Sequence, residues 1–298
     1  MRVLVTGADS FIGSHLTEAL VAAGDEVIGT SRKRDGFDVT DASKVAAVVR
    51  DAKPDRVFHL AAQSNIPKSF ADPATTMAVN VVGSANLFEA IRVHAPDASV
   101  VSVGSAAEYG DSARDAERIA EDARLRPTSP YGASKVAQSS LVSIYARAHK
   151  TKIVHVRLFA ILGTRKDTDA LADFSRNVVA IERGKADALT TGNTTALRDF
   201  TDVRDAVAGL VIAANAGVPG DVYNLCRGEA TSLDDLIALL ERASGRKLTV
   251  KKDPARLRPV DDPRVVGDPS KLRALGFSPR FQPAETVAAV LDYWRARG

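Results

Sequence analysis

Short runs of β-branched and other apolar residues alternate with longer helical patterns through the first half of the chain. The predicted strands are residues 3–5, 26–30, 57–60, 100–103 and 153–158, and the predicted helices between them are residues 13–23, 42–51, 77–94 and 131–149. This alternation is typical of a parallel sheet with helices on both faces, in which the strands are largely apolar. The pattern therefore predicts an α/β fold with a doubly wound parallel sheet.

After about residue 160 the alternation becomes irregular. Segments rich in charge, glycine and proline, residues 186–198 and 246–268, separate helix candidates at residues 171–184, 203–216, 233–244 and 284–297. We therefore predict one domain over residues 1–160 and a smaller C-terminal α/β subdomain mainly over residues 161–298. Part of residues 195–230 is expected to return to the first domain.

The composition is that of an ordinary folded protein, with 298 residues, 45% hydrophobic and 26% charged. The single cysteine, Cys226, excludes an intramolecular disulfide and a thiolate zinc site, which favours a reduced, cytoplasmic location. A formal charge of +3 with scattered basic residues argues against a nucleic-acid partner. No apolar stretch of about 18 residues is present, so we predict no membrane span. The N-terminus enters a predicted strand without a signal-peptide pattern, so we expect the protein to remain where it is made.

The first predicted strand runs into the sequence Thr-Gly-Ala-Asp-Ser-Phe-Ile-Gly at residues 6–13. Glycines at this turn allow a pyrophosphate to approach closely, and N–H groups at the start of the next helix favour anionic oxygens. The candidate phosphate-binding residues are Gly7, Ser10, Phe11, Ile12 and Gly13. Ser10 stands where a Gly-x-x-Gly-x-x-Gly loop has its middle glycine, and it could donate a hydrogen bond to a phosphate. The alternative is a plain strand–turn–helix with two unrelated glycines.

The end of the second predicted strand, residues 29–34, bears on the choice of nicotinamide cofactor. It has no carboxylate to hold a ribose 2′-hydroxyl, whereas Ser31 and Arg32 could hold a 2′-phosphate. NADP(H) is therefore favoured over NAD(H), which remains the alternative. Lys33 and Arg34 are equally well explained as solvated loop cations.

A tyrosine and a lysine four residues apart open the helix predicted after the fourth strand. Tyr131 and Lys135 would lie on one helix face, about one turn apart. An ammonium lowers the pKa of a nearby phenol, so the tyrosine could exchange a proton near neutral pH. Ser105, at the end of the fourth strand, is expected to face the same crevice as Gly7 and could hydrogen-bond a substrate carbonyl. The alternatives are a surface Tyr–Lys pair and a serine turn without chemistry.

Together these motifs resemble those of the extended short-chain dehydrogenase/reductases, and the resemblance covers nearly all of the chain. It also includes residues 38–39, 59–64 and 80–83. It implies that Asp38 and Val39 contact the adenine of the cofactor. The residues implied to line the cofactor channel are Leu60, Ala61, Ala62 and Asn80. The implied catalytic residues are Ser105, Tyr131 and Lys135, of which Tyr131 and Lys135 also bind the cofactor.

Within this family several stretches are similar to the branch that reduces GDP-4-keto-6-deoxymannose. They are residues 61–64, 69–73, 198–205, 222–226, 258–259 and 291–295. The resemblance implies NADPH-dependent reduction of the C4 ketone of a nucleotide-linked 4-keto-6-deoxyhexose, with residues 1–160 binding the cofactor and residues 161–298 mainly binding the sugar nucleotide. The implied substrate-binding residues are Gln63, Ser64, Ser105, Arg176, Arg198 and Arg258. Arg198 and Arg258 would hold the diphosphate, whereas a solvated helix face explains Arg176 equally well.

Two other activities and one non-catalytic function stay open. A 4,6-dehydratase would need a glutamate at the position of Ala107, and Glu108 is expected to point away from the crevice. A 4-epimerase would share the serine, tyrosine and lysine, and would be distinguished by consuming no reduced cofactor. Ser10, and Ala160 where relatives commonly have asparagine, are departures that would also suit a cofactor-binding protein without catalysis.

Two further expectations concern metals and assembly. His59 is expected to be a packed scaffold residue, and no second histidine is spaced to form a metal site. The resemblance implies a homodimer formed through the helices at residues 77–94 and 131–149. The apolar residues Leu141, Val142, Ile144 and Tyr145 suit such a contact but equally suit a core.

Overall fold

The computed structural model describes residues 1–114, 116–256 and 262–297. Its strands are β1 (Arg2–Thr6), β2 (Glu26–Thr30), β3 (Arg56–His59), β4 (Ser99–Ser105), β5 (Lys152–Leu158), β6 (Ala160–Leu162), β7 (Leu189–Thr191), β8 (Leu197–Arg198), β9 (Phe200–Asp202), β10 (Val222–Leu225), β11 (Thr231–Ser232), β12 (Val250–Lys252) and β13 (Arg264–Val265). Its helices are α1 (Phe11–Ala22), α2 (Arg32–Asp35), α3 (Ala42–Ala52), α4 (Ile66–Ala71), α5 (Pro73–Met77), α6 (Gly83–His94), α7 (Pro130–His149), α8 (Ala170–Glu182), α9 (Val203–Ala216), α10 (Leu233–Ser244), α11 (Ser270–Arg273) and α12 (Pro283–Arg295). A π-helical turn, Ala78–Val82, joins α5 to α6.

Six strands form one parallel sheet in the order β10-β5-β4-β3-β1-β2. Thr6 lies opposite both Thr30 of β2 and His59 of β3, so the carboxyl ends of the three strands are level. The chain adds β2 on one side of β1 and then crosses to add β3 on the other side. Ligands of open α/β sheets bind at such a reversal, outside the carboxyl ends of the strands.

The sheet has a hydrophobic core on each face. Successive side chains of β1 point to opposite faces, so Val3 and Val5 pack with α1 and α9. Leu4, between them, belongs to the core formed with α3, α6 and α7. The predicted doubly wound parallel sheet is therefore confirmed.

The sixth strand comes from the second half of the chain. Helix α9 contributes Leu210 to the first core, and β10 contributes Tyr223 and Leu225 while pairing with β5. The hydrophobic pattern did not identify β10 as a strand, because the strand has only four residues, one of them the polar Asn224, and so carries little periodic signal. Its position is set by parallel pairing with β5 at the edge of the sheet.

The remaining C-terminal residues surround a third core. Helices α8, α10 and α12 bury Val178, Leu240 and Leu291 against one another. The predicted helices at residues 203–216 and 233–244 are confirmed to the residue, and α8 and α12 begin and end within two residues of their predicted limits. None of the helices in the described ranges is long and apolar enough to cross a membrane.

Candidate functional site

The turn after β1 is shaped by its two glycines. Gly7 has φ +73°, and a Cβ there would lie 2.8 Å from the backbone nitrogen of Ala61, which follows β3. A Cβ on Gly13 would lie 2.2 Å from the carbonyl oxygen of Gly7. Both positions exclude a side chain, because the turn is pressed against the end of β3 and against the first turn of α1. The two glycines are thus required by the turn.

Ser10 caps α1 in place of the missing middle glycine. Its Oγ accepts a hydrogen bond of 3.1 Å from the Gly13 N–H. The first-turn N–H groups of Phe11 and Ile12 have no acceptor within the helix, and the helix dipole adds positive potential beside them. These groups could hold a pyrophosphate at the switch between β1 and β3.

The end of β2 carries a feature that the sequence reading missed. The Ser31 hydroxyl donates to a carboxylate oxygen of Asp9, which comes from the turn after β1. Residues 29–34 themselves have no carboxylate, as stated from the sequence, but Asp9 of the neighbouring turn brings one to Ser31. The sequence feature that could have predicted this contact is Asp9 in the glycine turn. That turn follows β1, whose carboxyl end lies level with the carboxyl end of β2.

Arg32 is also paired with a carboxylate. Its guanidinium contacts Asp38 through both Nε, at 3.1 Å, and a terminal nitrogen. This ion pair, with a hydrogen bond from Thr40, lowers the pKa of Asp38 to about 2. Val39 is buried and lies against Gly83, where a Cβ would be 2.5 Å from the valine Cγ2. The predicted 2′-phosphate and adenine residues thus lie together beside the carboxyl end of β2.

The segment after β3 is fastened to helix α7 through Asn80. The side-chain oxygen of Asn80 accepts from the Gln63 N–H at 2.8 Å, and its Nδ2 donates to the Ser134 hydroxyl at 2.9 Å. Asn80 is 1% exposed and lies in the π-helical turn, a feature that often marks functional sites. The channel residues Leu60, Ala61 and Ala62 are half-buried on this segment.

The predicted catalytic residues converge where β4 meets α7. Ser105 ends β4 and caps the short 3₁₀ turn Ala106–Glu108. Tyr131 and Lys135 lie in the first two turns of α7 and are buried, at 8% and 3% exposure. The helix reaches the serine turn because Gly132 has no side chain, and a Cβ there would lie 2.4 Å from the Ala107 carbonyl oxygen.

Burial governs the protonation of the tyrosine. It raises the pKa of Tyr131 to about 12, while a side-chain hydrogen bond with Ser105 acts in the opposite direction. The phenol therefore lies inside the site beside Ser105. The expected lowering of the Tyr131 pKa is wrong for this structure, because burial raises it by more than the hydrogen bond with Ser105 lowers it.

Lys135 is instead held against β4. Its Nζ donates to the Val103 carbonyl at 2.8 Å and to the Gln138 side-chain oxygen at 2.7 Å. Burial lowers the pKa of Lys135 to about 8, and the negative charge of Glu108 opposes that shift.

Glu108 points into the protein and away from the crevice, as predicted. Its carboxylate is fully buried and accepts hydrogen bonds from Arg157 Nε at 2.7 Å and His155 Nε2 at 2.9 Å. It also accepts from the Ser105 N–H at 2.9 Å. With Ala107 beside it, this turn presents no carboxylate to a sugar.

The predicted sugar-side residues after β3 differ in their surroundings. The Gln63 side chain is used within its own loop, where Nε2 donates to Asn65 O and Thr76 Oγ1 and Oε1 accepts from the Asn65 N–H. Ser64 is exposed beside it. Gln63 therefore shapes the loop, and Ser64 has the more open hydroxyl.

The three predicted arginines lie apart from this loop in the chain. Arg198, on β8, donates to the carbonyls of Leu197 at 2.8 Å and Asp262 at 2.7 Å. Arg176, on α8, lies over the Trp294 ring at 4.7 Å and donates to the Asp167 carbonyl. Arg258 lies outside the described residues.

Two further positions noted in the sequence, His59 and Ala160, lie in or beside strands. His59 is buried, with Nδ1 2.8 Å from Thr6 Oγ1 and Nε2 2.9 Å from Ser84 Oγ. Burial lowers its pKa to about 3, so it is a neutral packed residue, as predicted. Ala160 lies in β6 opposite Phe200 of β9. In the described part of the chain, no group of three or more His, Cys, Asp or Glu side chains could hold a metal ion.

Comparison with known proteins agrees with this geometry. The model of the NAD dependent epimerase/dehydratase family matches residues 3–226. GDP-6-deoxy-D-mannose reductase from Pseudomonas aeruginosa is 30% identical over 299 residues, covering 99% of this chain and 98% of that protein.

Solved structures extend the comparison. RMD from Pseudomonas aeruginosa in complex with NADPH superimposes with a TM-score of 0.91 at 28% identity, covering 100% of both chains. UDP-glucose 4-epimerase from Thermus thermophilus in complex with NAD gives a TM-score of 0.88 at 30% identity, covering 99% of both chains. With its parallel sheet, its glycine turn and its serine, tyrosine and lysine at one crevice, the chain belongs to the NAD dependent epimerase/dehydratase family.

Proposed function

We propose that this protein reduces the C4 ketone of a nucleotide-linked 4-keto-6-deoxyhexose with NADPH, and that GDP-4-keto-6-deoxy-D-mannose is its substrate. The observation that carries the proposal is the convergence of Ser105, Tyr131 and Lys135 at the carboxyl end of the sheet that also holds the glycine turn. The similarity to a GDP-6-deoxy-D-mannose reductase and to an NADPH-bound structure supports the substrate and the cofactor.

The residues at the switch point fit a dinucleotide. The cradle at Gly7, which a Cβ would fill, and the first-turn N–H groups of α1 would hold the pyrophosphate. Ser31 and Arg32 would hold the 2′-phosphate, and Asp38 and Val39 the adenine. Leu60, Ala61, Ala62 and Asn80 would line the path to the nicotinamide. NADPH, when bound, supplies the hydride.

Side chains of the protein supply the proton that the carbonyl oxygen takes up. Tyr131 keeps its phenolic proton at neutral pH because burial raises its pKa to about 12, so it is ready to protonate the carbonyl oxygen as reduction proceeds. The Ser105 hydroxyl orients that oxygen, and the Lys135 ammonium stabilises the developing negative charge. Arg198 and Arg258, with Arg176 as a third candidate, would position the nucleotide diphosphate in the C-terminal subdomain over residues 161–298.

The orientation of Glu108 favours a reductase over a 4,6-dehydratase. A dehydratase needs a base near the sugar, and this carboxylate is instead neutralised by Arg157 inside the protein. A 4-epimerase would share Ser105, Tyr131 and Lys135 with a reductase, and net consumption of reduced cofactor distinguishes the two. The buried Glu108–Arg157 pair and the similarity to a GDP-6-deoxy-D-mannose reductase support net reduction.

The test is a substrate panel. The purified protein is incubated with NADPH and GDP-, dTDP-, UDP- or CDP-linked 4-keto-6-deoxy sugars, and cofactor oxidation and product stereochemistry are followed. Stoichiometric NADPH consumption with the GDP compound alone supports the proposal. A nucleotide-linked hexose with a C4 hydroxyl is included as a further substrate, and its inversion at C4 without net NADPH consumption would establish a 4-epimerase. NADPH binding without any turnover would establish a non-catalytic protein.

The proposal extends to assembly and location. Met77, Val82 and Ile144 are exposed apolar residues on the neighbouring segments α5, the π-helical turn and α7, and they would form a homodimer contact. Val142, by contrast, is buried in the core. We expect Ile144→Glu to convert a dimer into a monomer in analytical ultracentrifugation, and a monomeric unmodified protein would refute the contact.

A cytoplasmic location is expected because it keeps Cys226 reduced.

A further inference from the structure

A hydrogen-bonded row of buried side chains connects Lys135 to Glu108. Lys135 Nζ donates to Gln138 Oε1 at 2.7 Å, and Gln138 Nε2 donates to Ser102 Oγ at 2.9 Å. Ser102 Oγ lies 3.3 Å from His155 Nδ1, and His155 Nε2 lies 2.9 Å from Glu108 Oε1. The four residues beyond Lys135 are each at most 1% exposed. We call these five residues the buried network.

The directions of the hydrogen bonds at the two ends of the buried network follow from the charges there. An ammonium can only donate, so Gln138 presents its oxygen to Lys135 and its NH₂ group to Ser102. We assign the Ser102 hydroxyl as the donor to His155 Nδ1 at 3.3 Å, which leaves an Nε2–H to face Glu108. The Nε2–H donates to Glu108, which as a carboxylate can only accept. The ammonium and the carboxylate therefore set the donor and the acceptor at the two ends of the row.

Gly104 of β4 lies beside the contact between His155 and Glu108 and has no side chain. A Cβ on Gly104 would lie 2.2 Å from His155 Nε2 and 2.4 Å from Glu108 Oε1. Gly104 therefore leaves the space in which His155 and Glu108 meet. Because buried polar groups without partners are costly, interrupting the row at one member leaves its neighbours unsatisfied.

Glu108 is connected by hydrogen bonds to two of the proposed catalytic residues, Ser105 and Lys135. Its Oε1 accepts the Ser105 N–H directly, and the same oxygen ends the row that begins at Lys135. Arg157 binds the other oxygen, Oε2, and holds the carboxylate in place. Glu108 therefore fixes the serine backbone through one bond and the lysine through four.

We propose that Glu108 is a positioning residue for the reduction, and that Gln138, Ser102 and His155 transmit its hold to Lys135. The inference rests on the proposed function and adds to it residues that touch neither the cofactor nor the sugar. The titratable groups that interact electrostatically with Lys135 are Glu108, which favours its cationic form, and the neutral His59, whose pKa Lys135 helps to lower. Removing the negative charge of Glu108 should therefore lower the pKa of Lys135, so that the ammonium loses its proton at lower pH.

The experiment compares three variants, Ser102→Ala, Glu108→Gln and the double variant, with a control. The control is Ser140→Ala, which changes an exposed serine on α7, the helix that carries Lys135 and Gln138. Glu108→Gln should move the alkaline limb of the kcat–pH profile down by about one unit, a tenfold change in proton affinity. Ser102→Ala should lower kcat about tenfold with KM for the sugar nucleotide within twofold. The double variant should lose less than the sum, because both changes interrupt one row. Ser140→Ala should resemble the unmodified protein.

A measurement without substrate separates this inference from the proposed function. ¹⁵N NMR of the full chain should show His155 as the Nε2–H tautomer, with an Nδ1 resonance that shifts in Ser102→Ala and not in Ser140→Ala. An Nδ1–H tautomer, or strictly additive effects of Ser102→Ala and Glu108→Gln, would overturn the inference. If no sugar in the panel is reduced, the proposed function fails, and the NMR result alone decides the buried network. If Glu108→Gln does not fold, Ser102→Ala and Gln138→Met decide the kinetic part.

Discussion

Gly132→Ala tests whether α7 is pressed against the Ser105 turn. Glycine to alanine within a helix normally stabilises a protein by up to about 1 kcal/mol. Here the added Cβ would lie 2.4 Å from the Ala107 carbonyl oxygen, whereas ordinary contact begins at 3.4 Å, so the helix and the turn must separate by about 1 Å. Overpacking of this kind costs about 1–3 kcal/mol, so we expect a net loss of stability and a melting temperature several degrees lower.

The same displacement separates the Tyr131 phenol from Ser105. A misplacement of about 1 Å can cost roughly 100-fold in rate, so kcat should fall by about 10- to 100-fold while NADPH binding stays within a few-fold. Differential scanning calorimetry and steady-state kinetics measure the two effects. Ser140→Ala, on the exposed side of the same helix, is the control and should change neither. An alanine variant that is more stable than the unmodified protein and fully active would refute the close approach.

Three further predictions address the proton donor, the cofactor and pH. Tyr131→Phe should lower kcat by about 10²–10⁴-fold with an unchanged NADPH dissociation constant in a fluorescence titration, and retained turnover would remove Tyr131 from the mechanism. Asp9→Ala removes a carboxylate beside Ser31 and should favour NADPH over NADH by about five- to tenfold in dissociation constants, whereas the exposed control Asp51→Ala should not. The pKa of His59 falls from 6.5 in the unfolded chain to about 3 in the folded protein, so the unfolded chain binds more protons between these values and stability is lost as pH falls below about 6.5. Urea unfolding at pH 5 and pH 7 should show a smaller difference for His59→Gln, and an equal difference would exclude this histidine as the cause.

The pattern of apolar residues was enough to predict the sheet and most of its helices. Strands buried on both faces and helices with one apolar side leave a periodic record in the sequence, because burial acts on each element separately. Helices α9 and α10 were predicted to the residue, since a capping aspartate or serine and a terminal glycine mark their ends. The short strand β10 left no such record.

The sequence determined on its own the elements of the fold and the residue types of the site, because hydrophobic periodicity, glycine turns and the Tyr–Lys spacing are local. Only the tertiary structure decided which groups face one another. It brought Asp9 to Ser31 across 22 residues and turned Lys135 towards Gln138 and Val103. It also buried Glu108 against His155, 47 residues away. These contacts depend on the order of strands in the sheet, and the energy of a buried charge or hydrogen bond is set by neighbours that no local pattern specifies.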